Sequence, residues 1–447
     1  MSLPPSCQKL FDAIGVSGAV ARGPFIRSTG HTVWWGSAER RVEPFASGAL
    51  GWQADVQALG EILLADAVAA GATVERGTAT EASVSEASDR GQWLIDATGR
   101  AGVLAKARGL RTYDAGPRTV ALVAEWRSDS AWPVPDDSHT LIESYDGGWV
   151  WSVPLAGHPA CEPSSPQAPK PLRHPSLTRH IAAMVDPLRT GLARGATARE
   201  VYLTEIGKTR AFASITAHAT LAGGPWGWDA STYSARQYAG EGWLLVGDAG
   251  SFLDPLSSAG VKKALAAGWL AAVTVHTCLV RPEMRSHAVG FFSAREQEVE
   301  QHHARMSRHF LAEAASRHPH AFWADRSAEA DEPTELAEQA AVRAALAGLR
   351  SASAFDARPG PDVRIEPRAA VSGREIVLEP HIITAESPAG VRYIRGTDLV
   401  VLVDLAPHSS QVPDLFEAYC RRADPVPLPD FLFALATAVA RGWVVAQ

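Results

Sequence analysis

Gly247-Asp248-Ala249-Gly250-Ser251-Phe252-Leu253-Asp254-Pro255-Leu256-Ser257-Ser258-Ala259-Gly260 is the stretch on which the reading of this chain turns. An apolar run, Trp243-Leu244-Leu245-Val246, precedes it, and a helical pattern from Val261 to Val273 follows. The succession predicts a buried strand, a tight loop and a helix. Doubly wound folds meet a dinucleotide with such a unit, at the carboxyl end of the sheet. Gly247 lets the backbone approach a ligand closely. Asp248 offers acceptors for sugar-alcohol hydroxyls. The helix start near Ser257-Ser258-Ala259-Gly260 presents free N–H groups and a positive dipole end, which suit an anion.

Outward from that stretch, the bulk numbers set bounds. A chain of 447 residues has room for two or three domains. With 46% hydrophobic and 20% charged residues it reads as globular. The formal charge is −7 and no long basic stripe occurs, which argues against a nucleic-acid partner. Four cysteines (Cys7, Cys161, Cys278 and Cys420) stand far apart without metal-ligand spacing. They read as structural thiols in a reducing compartment, and no metal site is expected. The N-terminus has no basic region followed by an apolar core, so no secretion signal is expected. The stretch Val261–Val280 contains Lys262, Lys263 and His276 and reads as a buried helix rather than a membrane span. The expected location is the cytoplasm, without a membrane partner.

Further patterns follow the chain. Gln8 to Ile14 is helical in pattern, and Gly51-Trp52-Gln53-Ala54-Asp55 leads into an amphipathic stretch from Val56 to Ala70. Gln92 to Asp96 reads as a short buried strand ending in Asp96-Ala97-Thr98-Gly99-Arg100. Strands are expected at Thr119–Trp126, Thr140–Ser144, Gly148–Pro154 and Glu200–Ile206. Glu162–Pro175 reads as a proline- and serine-rich loop. Helices are expected from Ala264 to about Leu346, broken near His318-Pro319, with a linker over 349–363. Beyond it, strand-like runs (Glu375–Leu378, Val391–Ile394, Leu399–Leu405) precede helical ones (Gln411–Arg422, Pro429–Ala440). No internal repeat is visible.

Gly148-Trp149-Val150-Trp151-Ser152-Val153-Pro154 carries the second signal. Tryptophans two apart on a strand share a face. Such a pair walls off a tunnel and excludes water from a reactive centre, or else it simply fills a core.

Together these segments resemble the FAD-dependent monooxygenases of the aromatic-hydroxylase fold, and especially their flavin-dependent halogenase branch. The Gly247–Gly260 run resembles that family's second flavin motif, Asp96-x-x-Gly99-Arg100 a strand end beside the cofactor, and Trp149–Pro154 the WxWxIP motif with Val153 in place of isoleucine. The resemblance implies an α/β, FAD-binding aromatic-hydroxylase-like fold: a doubly wound sheet plus a β-rich substrate domain, with a small α+β C-terminal domain. The expected division is 1–115 (FAD-binding part), 116–240 (β-rich substrate-binding part), 241–350 (second FAD-binding segment and helices) and 363–447. The last of these resembles, loosely, the winged-helix domains that hold leader peptides; a plain structural appendage is the alternative.

The resemblance also assigns residues. Asp96, Gly99, Arg100, Gly247, Asp248, Pro255, Ser258, Gly260 and Val261 would hold FAD. Trp149, Trp151 and Pro154 would line a substrate tunnel. NAD(P)H or a partner flavin reductase would reduce the cofactor. Three departures stand out. The family's GxGxxG unit has no counterpart in the sequence, so a first βαβ unit is expected to be missing, through a late start codon, a fragmentary gene or unusual cofactor binding. The early strand that carries a halogenase lysine matches Gly23–Gly36, where Arg27 and His31 stand instead. Near Ser257 the tryptophan halogenases have a glutamate that this chain lacks. Arg27, His31, Lys262 and Lys263 are therefore the candidate helpers, with at most one of the two adjacent lysines facing the cofactor, although arginine stays protonated and is a poor nucleophile. Three functions remain open. One is hydroxylation of an electron-rich aromatic such as an indole or phenol, including a tryptophan within a peptide. The second is true halogenation. The third is a non-catalytic remnant that binds peptides.

Overall fold

The structure, a computed structural model, describes residues 1–80, 82, 93–114, 116–156, 178–327, 334–351 and 354–446. The expected Glu162–Pro175 loop and Cys161 lie outside them. The chain divides into two units: Met1–Ala272 with Phe292–Ala330, and Val273–Phe291 with Asp331–Gln447.

The first unit is built on a seven-stranded sheet. Its strands are β1 (Gly30–Trp34), β2 (Arg41–Pro44), β4 (Val120–Ser128), β5 (Thr140–Tyr145), β6 (Gly148–Pro154), β7 (Thr178–Val185) and β8 (Ala219–Asp229). They lie in the order β8-β4-β7-β6-β5-β1-β2, antiparallel throughout except for the β1–β5 pair. Alternation gives the sheet two apolar faces. One face (Leu122, Ala124, Ile181, Ala183) packs on Val201, Tyr202, Ile206 and Phe212 of two short helices. The other (Ala121, Trp149, Ala182, Met184) packs on Leu311, Ala314, Phe322 and Trp323. A second, small sheet holds β3 (Leu94–Asp96), β9 (Ala239–Gly240) and β10 (Trp243–Leu245). There β10 pairs in parallel with β3, Leu245 opposite Asp96.

Three helices matter for the site: α1 (Val56–Ala69), α2 (Gly260–Val280) and α3 (Arg285–Ala315). α2 is long and apolar enough to cross a membrane by length and composition alone. Its residues Lys263, Ala267, Leu270 and Ala271 are nevertheless buried within the protein.

The second unit carries a long hairpin, Arg364–Ser372 with Glu375–Ile383, and the helices Leu399–Leu405, Val412–Arg422 and Leu428–Ala440. Leu402, Leu415, Tyr419, Phe431 and Trp443 form its core.

Two expected strands are helices instead. Ala198–Lys208 is started by a capping box, in which Thr197 accepts from the Glu200 N–H and Glu200 accepts from the Thr197 N–H. Its buried residues Val201, Tyr202, Glu205 and Ile206 follow helical spacing, which the apolar run Val201-Tyr202-Leu203 had masked. Leu399–Leu405 begins at Asp398, whose carboxylate accepts from the N–H groups of Val400 and Val401. That cap outweighs the strand preference of the valines. The region expected to be a linker opens with the end of a helix, Thr334–Ser351, and includes the strand Ala357–Pro359.

A candidate active site beside the Gly-Asp loop

Strand β10 is completely covered, so its end is a fixed point from which the loop departs. Gly247 there has φ +60°, in the left-handed region. A Cβ at this position would meet the Ala264 Cβ at 3.1 Å, so the strand-to-helix crossing needs glycine twice over. Lys263, on the buried side of α2, donates from Nζ to the Gly247 carbonyl at 3.0 Å and to the Ser251 carbonyl. The Tyr233 hydroxyl donates to the Asp248 carbonyl at 2.6 Å. With these carbonyls tied back, the loop's other side is left to face open space. Farther on, Asp254 Oδ1 accepts from the Leu256 N–H at 2.9 Å and starts the turn Pro255–Ser257. Ser258 then takes φ +49° to turn the chain into α2.

That open space is a cavity of about 600 Å³. The loop supplies one wall with Gly247, Asp248, Phe252, Asp254 and Leu256; α2 adds Gly260, Val261, Ala264 and Leu265. The opposite wall is sheet: Trp149, Trp151 and Val153 of β6, and Thr140 and Ile142 of β5. Register explains the second wall, because Trp151 pairs with Ile142 and Trp149 with Ser144. Helix α1 closes another side with Leu59 and Leu63. Trp149 is almost fully covered and stands edge-on to Trp35 at 6.3 Å, and Trp35 in turn stands edge-on to Trp323 at 5.6 Å. The wall is therefore rigid.

Electrostatics concentrate behind the loop. Burial raises the Asp248 carboxyl above its ordinary range, against the pull of Lys263, Arg100 and Arg111. Burial lowers the Lys263 ammonium, and Glu296, Asp248 and Glu300 pull it back up. Glu296 on α3 is pushed up to about 7 by burial, with Lys263 and Arg295 opposing. Its Oε2 is buried without a hydrogen-bond partner among the described residues.

These residues fit a flavin in one respect: the loop beside Asp248 has the glycine geometry that lets a polar chain lie against backbone.

No protein-family model matches the chain. Curated relatives do. Flavin-dependent halogenase otaD of Aspergillus niger is 30% identical over 196 residues, which is 41% of this chain and 36% of the relative. The tryptophan 2-halogenase of Chondromyces crocatus is 26% identical over 323 residues, 65% of this chain and 56% of the relative. Among solved structures, the flavin-dependent halogenase CmlS superposes with a TM-score of 0.74 at 15% identity, covering 100% of this chain and 88% of that one. This chain is similar in sequence to flavin-dependent halogenases and shares their fold. The peptidyl tryptophan dihydroxylase QhpG shares the fold at a TM-score of 0.56 and 22% identity, covering 95% and 86%. The chain spans only 36% and 56% of the two curated relatives.

Within this superfamily fold, the residues expected to hold the cofactor divide into two sets. Gly99, Gly247, Asp248, Pro255, Ser258, Gly260 and Val261 line the cavity. Asp96 and Arg100 stand behind it. Asp96 accepts from the Thr98 N–H, the Thr98 hydroxyl and the Leu104 N–H, so it orders the Asp-x-x-Gly turn. Arg100 lies over the Phe252 ring at 4.0 Å and donates to the Ser231 carbonyl. Trp149 and Trp151 line the cavity as expected. Pro154 does not, because alternation turns Ser152 and Pro154 to the opposite face, and Val153 takes the lining position.

Arg27, His31 and Lys262 are not at the cavity wall. Arg27 lies 4.2 Å over the Trp52 ring and donates to the Leu50 carbonyl. His31 sits opposite Thr140 on β1, one strand beyond the lining, edge-on to Phe45 at 5.1 Å. Burial lowers its pKa, and nearby His139 lowers it further. Lys262 is turned away from the cavity by the phase of α2, since Val261, Ala264 and Leu265 occupy the lining positions. Its neighbour Lys263 is the lysine that touches the loop. In sequence the two adjacent lysines read as a pair of which at most one faces the cofactor, and the phase of α2 makes Lys263 the one beside the loop. Asp254 reads in sequence as an ordinary turn residue before proline.

Proposed function

We propose that this protein is a FAD-dependent oxidoreductase that hydroxylates an electron-rich aromatic, such as an indole or phenol, including a tryptophan side chain presented by a peptide. The observation that carries the reading is the single cavity joining the Gly247–Asp248 loop to the Trp149–Trp151 wall. The flavin-dependent halogenase relatives and the fold shared with a peptidyl tryptophan dihydroxylase support it.

When bound and reduced, the flavin supplies the activation of dioxygen. The chain's own residues do the rest. Gly247, Gly260 and Val261 let the cofactor lie close to backbone, and Asp248 accepts from its sugar-alcohol hydroxyls. Trp149, Trp151 and Ile142 exclude water and hold the ring at a fixed distance. NAD(P)H or a partner flavin reductase supplies the electrons, in the reducing setting of the cytoplasm.

Halogenation is the second reading, and the halogenase relatives favour it. Against it stands the lining, in which no lysine appears among the described residues. The test begins with visible absorbance on adding FAD. Flavin bands that shift on binding are expected; a protein that leaves the spectrum unchanged fails the reading and leaves a binding protein. Turnover with an indole or phenol in chloride or bromide then separates the two chemistries, a mass gain of one oxygen against one of halogen.

A further inference from the structure

Two carboxylates line the cavity among the described residues, Asp248 and Asp254. The proposed function uses the first and leaves the second without a role. Asp254 stands between Phe252 and Leu256, and both of those side chains pack in the cluster that contains Trp149, Trp151 and Ile142. It therefore belongs to the aromatic end of the cavity. One of its oxygens, Oδ1, is engaged by the Leu256 N–H. No side-chain donor is bonded to Oδ2 among the described residues, and its nearest cationic influence is Arg326. The same end of the cavity holds a complementary group: the Trp151 indole nitrogen, a buried donor with no partner among the described residues. The rest of that end is apolar, with Trp149, Ile142, Val153 and Leu256, except for the Thr140 hydroxyl oxygen, which accepts from the Gln53 side-chain amide at 3.0 Å.

A largely apolar slot with an unengaged carboxylate oxygen and an unengaged indole donor selects by hydrogen bonding more sharply than by shape, because a ligand that leaves a buried polar group unpaired loses the full desolvation cost. We propose that Asp254 is a specificity-determining residue that accepts the ring N–H or O–H of the aromatic substrate, with the Trp151 N–H serving an acceptor on the same molecule. The inference deepens the proposed function and rests on its substrate class. It narrows that class to indoles unsubstituted at nitrogen and to free phenols. N-alkylindoles and aryl ethers are excluded.

The probes are indole and 1-methylindole, titrated against the full chain by isothermal titration calorimetry, in the presence and absence of FAD. The expected result is roughly tenfold tighter binding of indole, a free-energy difference of about 1.4 kcal/mol. In Asp254→Asn, the side-chain oxygen still accepts from the Leu256 N–H, so the turn is kept. An amide nitrogen then faces the ring, and the preference is expected to vanish. Equal binding of the two probes by the wild type overturns the proposal, as does failure to bind either. A preference that survives in Asp254→Asn overturns it too, because the discrimination is then steric. The wild-type comparison needs no variant and stands even if Asp254→Asn does not fold. A protein that ignores FAD yet discriminates the probes through Asp254 sinks the flavin reading and keeps this one.

Discussion

The two walls of the cavity are built on opposite principles. The sheet wall is made by side chains: alternation along β6 and cross-strand pairing with β5 place Trp149, Trp151 and Ile142 on one surface, and the backbone only spaces them. The loop wall is made by backbone: Gly247 and Ser258 hold left-handed conformations, and Lys263 ties two carbonyls from behind. A side-chain wall can be retuned one residue at a time. A backbone wall depends on a few fixings that hold or fail together.

Trp149→Ala removes a buried indole from the rigid wall and is expected to cost about 4 kcal/mol of stability, read by chemical denaturation. Flavin affinity in the surviving folded protein should change little, because the loop is untouched. Lys263→Met should do the reverse in part. It is expected to lose about 3 kcal/mol, since it removes charge-assisted bonds to two carbonyls and strips Glu296 of its nearest cation. FAD binding should weaken a hundredfold or more. A variant that keeps wild-type flavin affinity would show that the loop needs no brace.

Glu296 gives a pH-dependent version of the same contrast. Its folded-state pKa is raised from 4.5 to about 7. The stability this group contributes is therefore full below its unfolded value, and it is lost as pH rises through about 7. Between pH 5 and pH 8 the wild type should lose about 3 kcal/mol that Glu296→Gln does not lose. Parallel pH profiles for the two proteins would remove Glu296 from the account. Gly247→Ala should have the smallest effect on stability, about 1–2 kcal/mol, from left-handed strain and crowding against Ala264. Its effect on flavin affinity should exceed that of Trp149→Ala.

The same contrast governs how much the sequence reveals. The Trp149-x-Trp151 spacing needs only the period of a strand, so the sheet wall is legible from residues alone. The strand-Gly-Asp-helix succession is legible too, and with the Trp149–Pro154 segment it carries the resemblance to flavin-dependent halogenases. What fixes the loop is not legible. Lys262 and Lys263 are indistinguishable as a pair until the phase of α2 is known. Pro154 is placed one residue out of phase when the motif is carried over whole rather than by alternate positions. Asp254 is hidden because its local role as a turn cap accounts for it fully until the cavity beside it is seen. Arg27 and His31 were proposed by analogy of position, and the packing of Trp52 and Phe45 places them elsewhere. In Ala198–Lys208, the run Val201-Tyr202-Leu203 mimics a strand, and the cap at Thr197 decides the matter.

The edge-to-face chain of Trp323, Trp35 and Trp149 has an optical consequence. Rings at these separations exchange excitation faster than they emit, so light absorbed by Trp323 or Trp35 is shared with the indole at the cavity wall. An isoalloxazine occupant there, which absorbs where indoles emit, would drain that excitation, and the protein carries a built-in luminescent gauge of whether its cavity holds the cofactor.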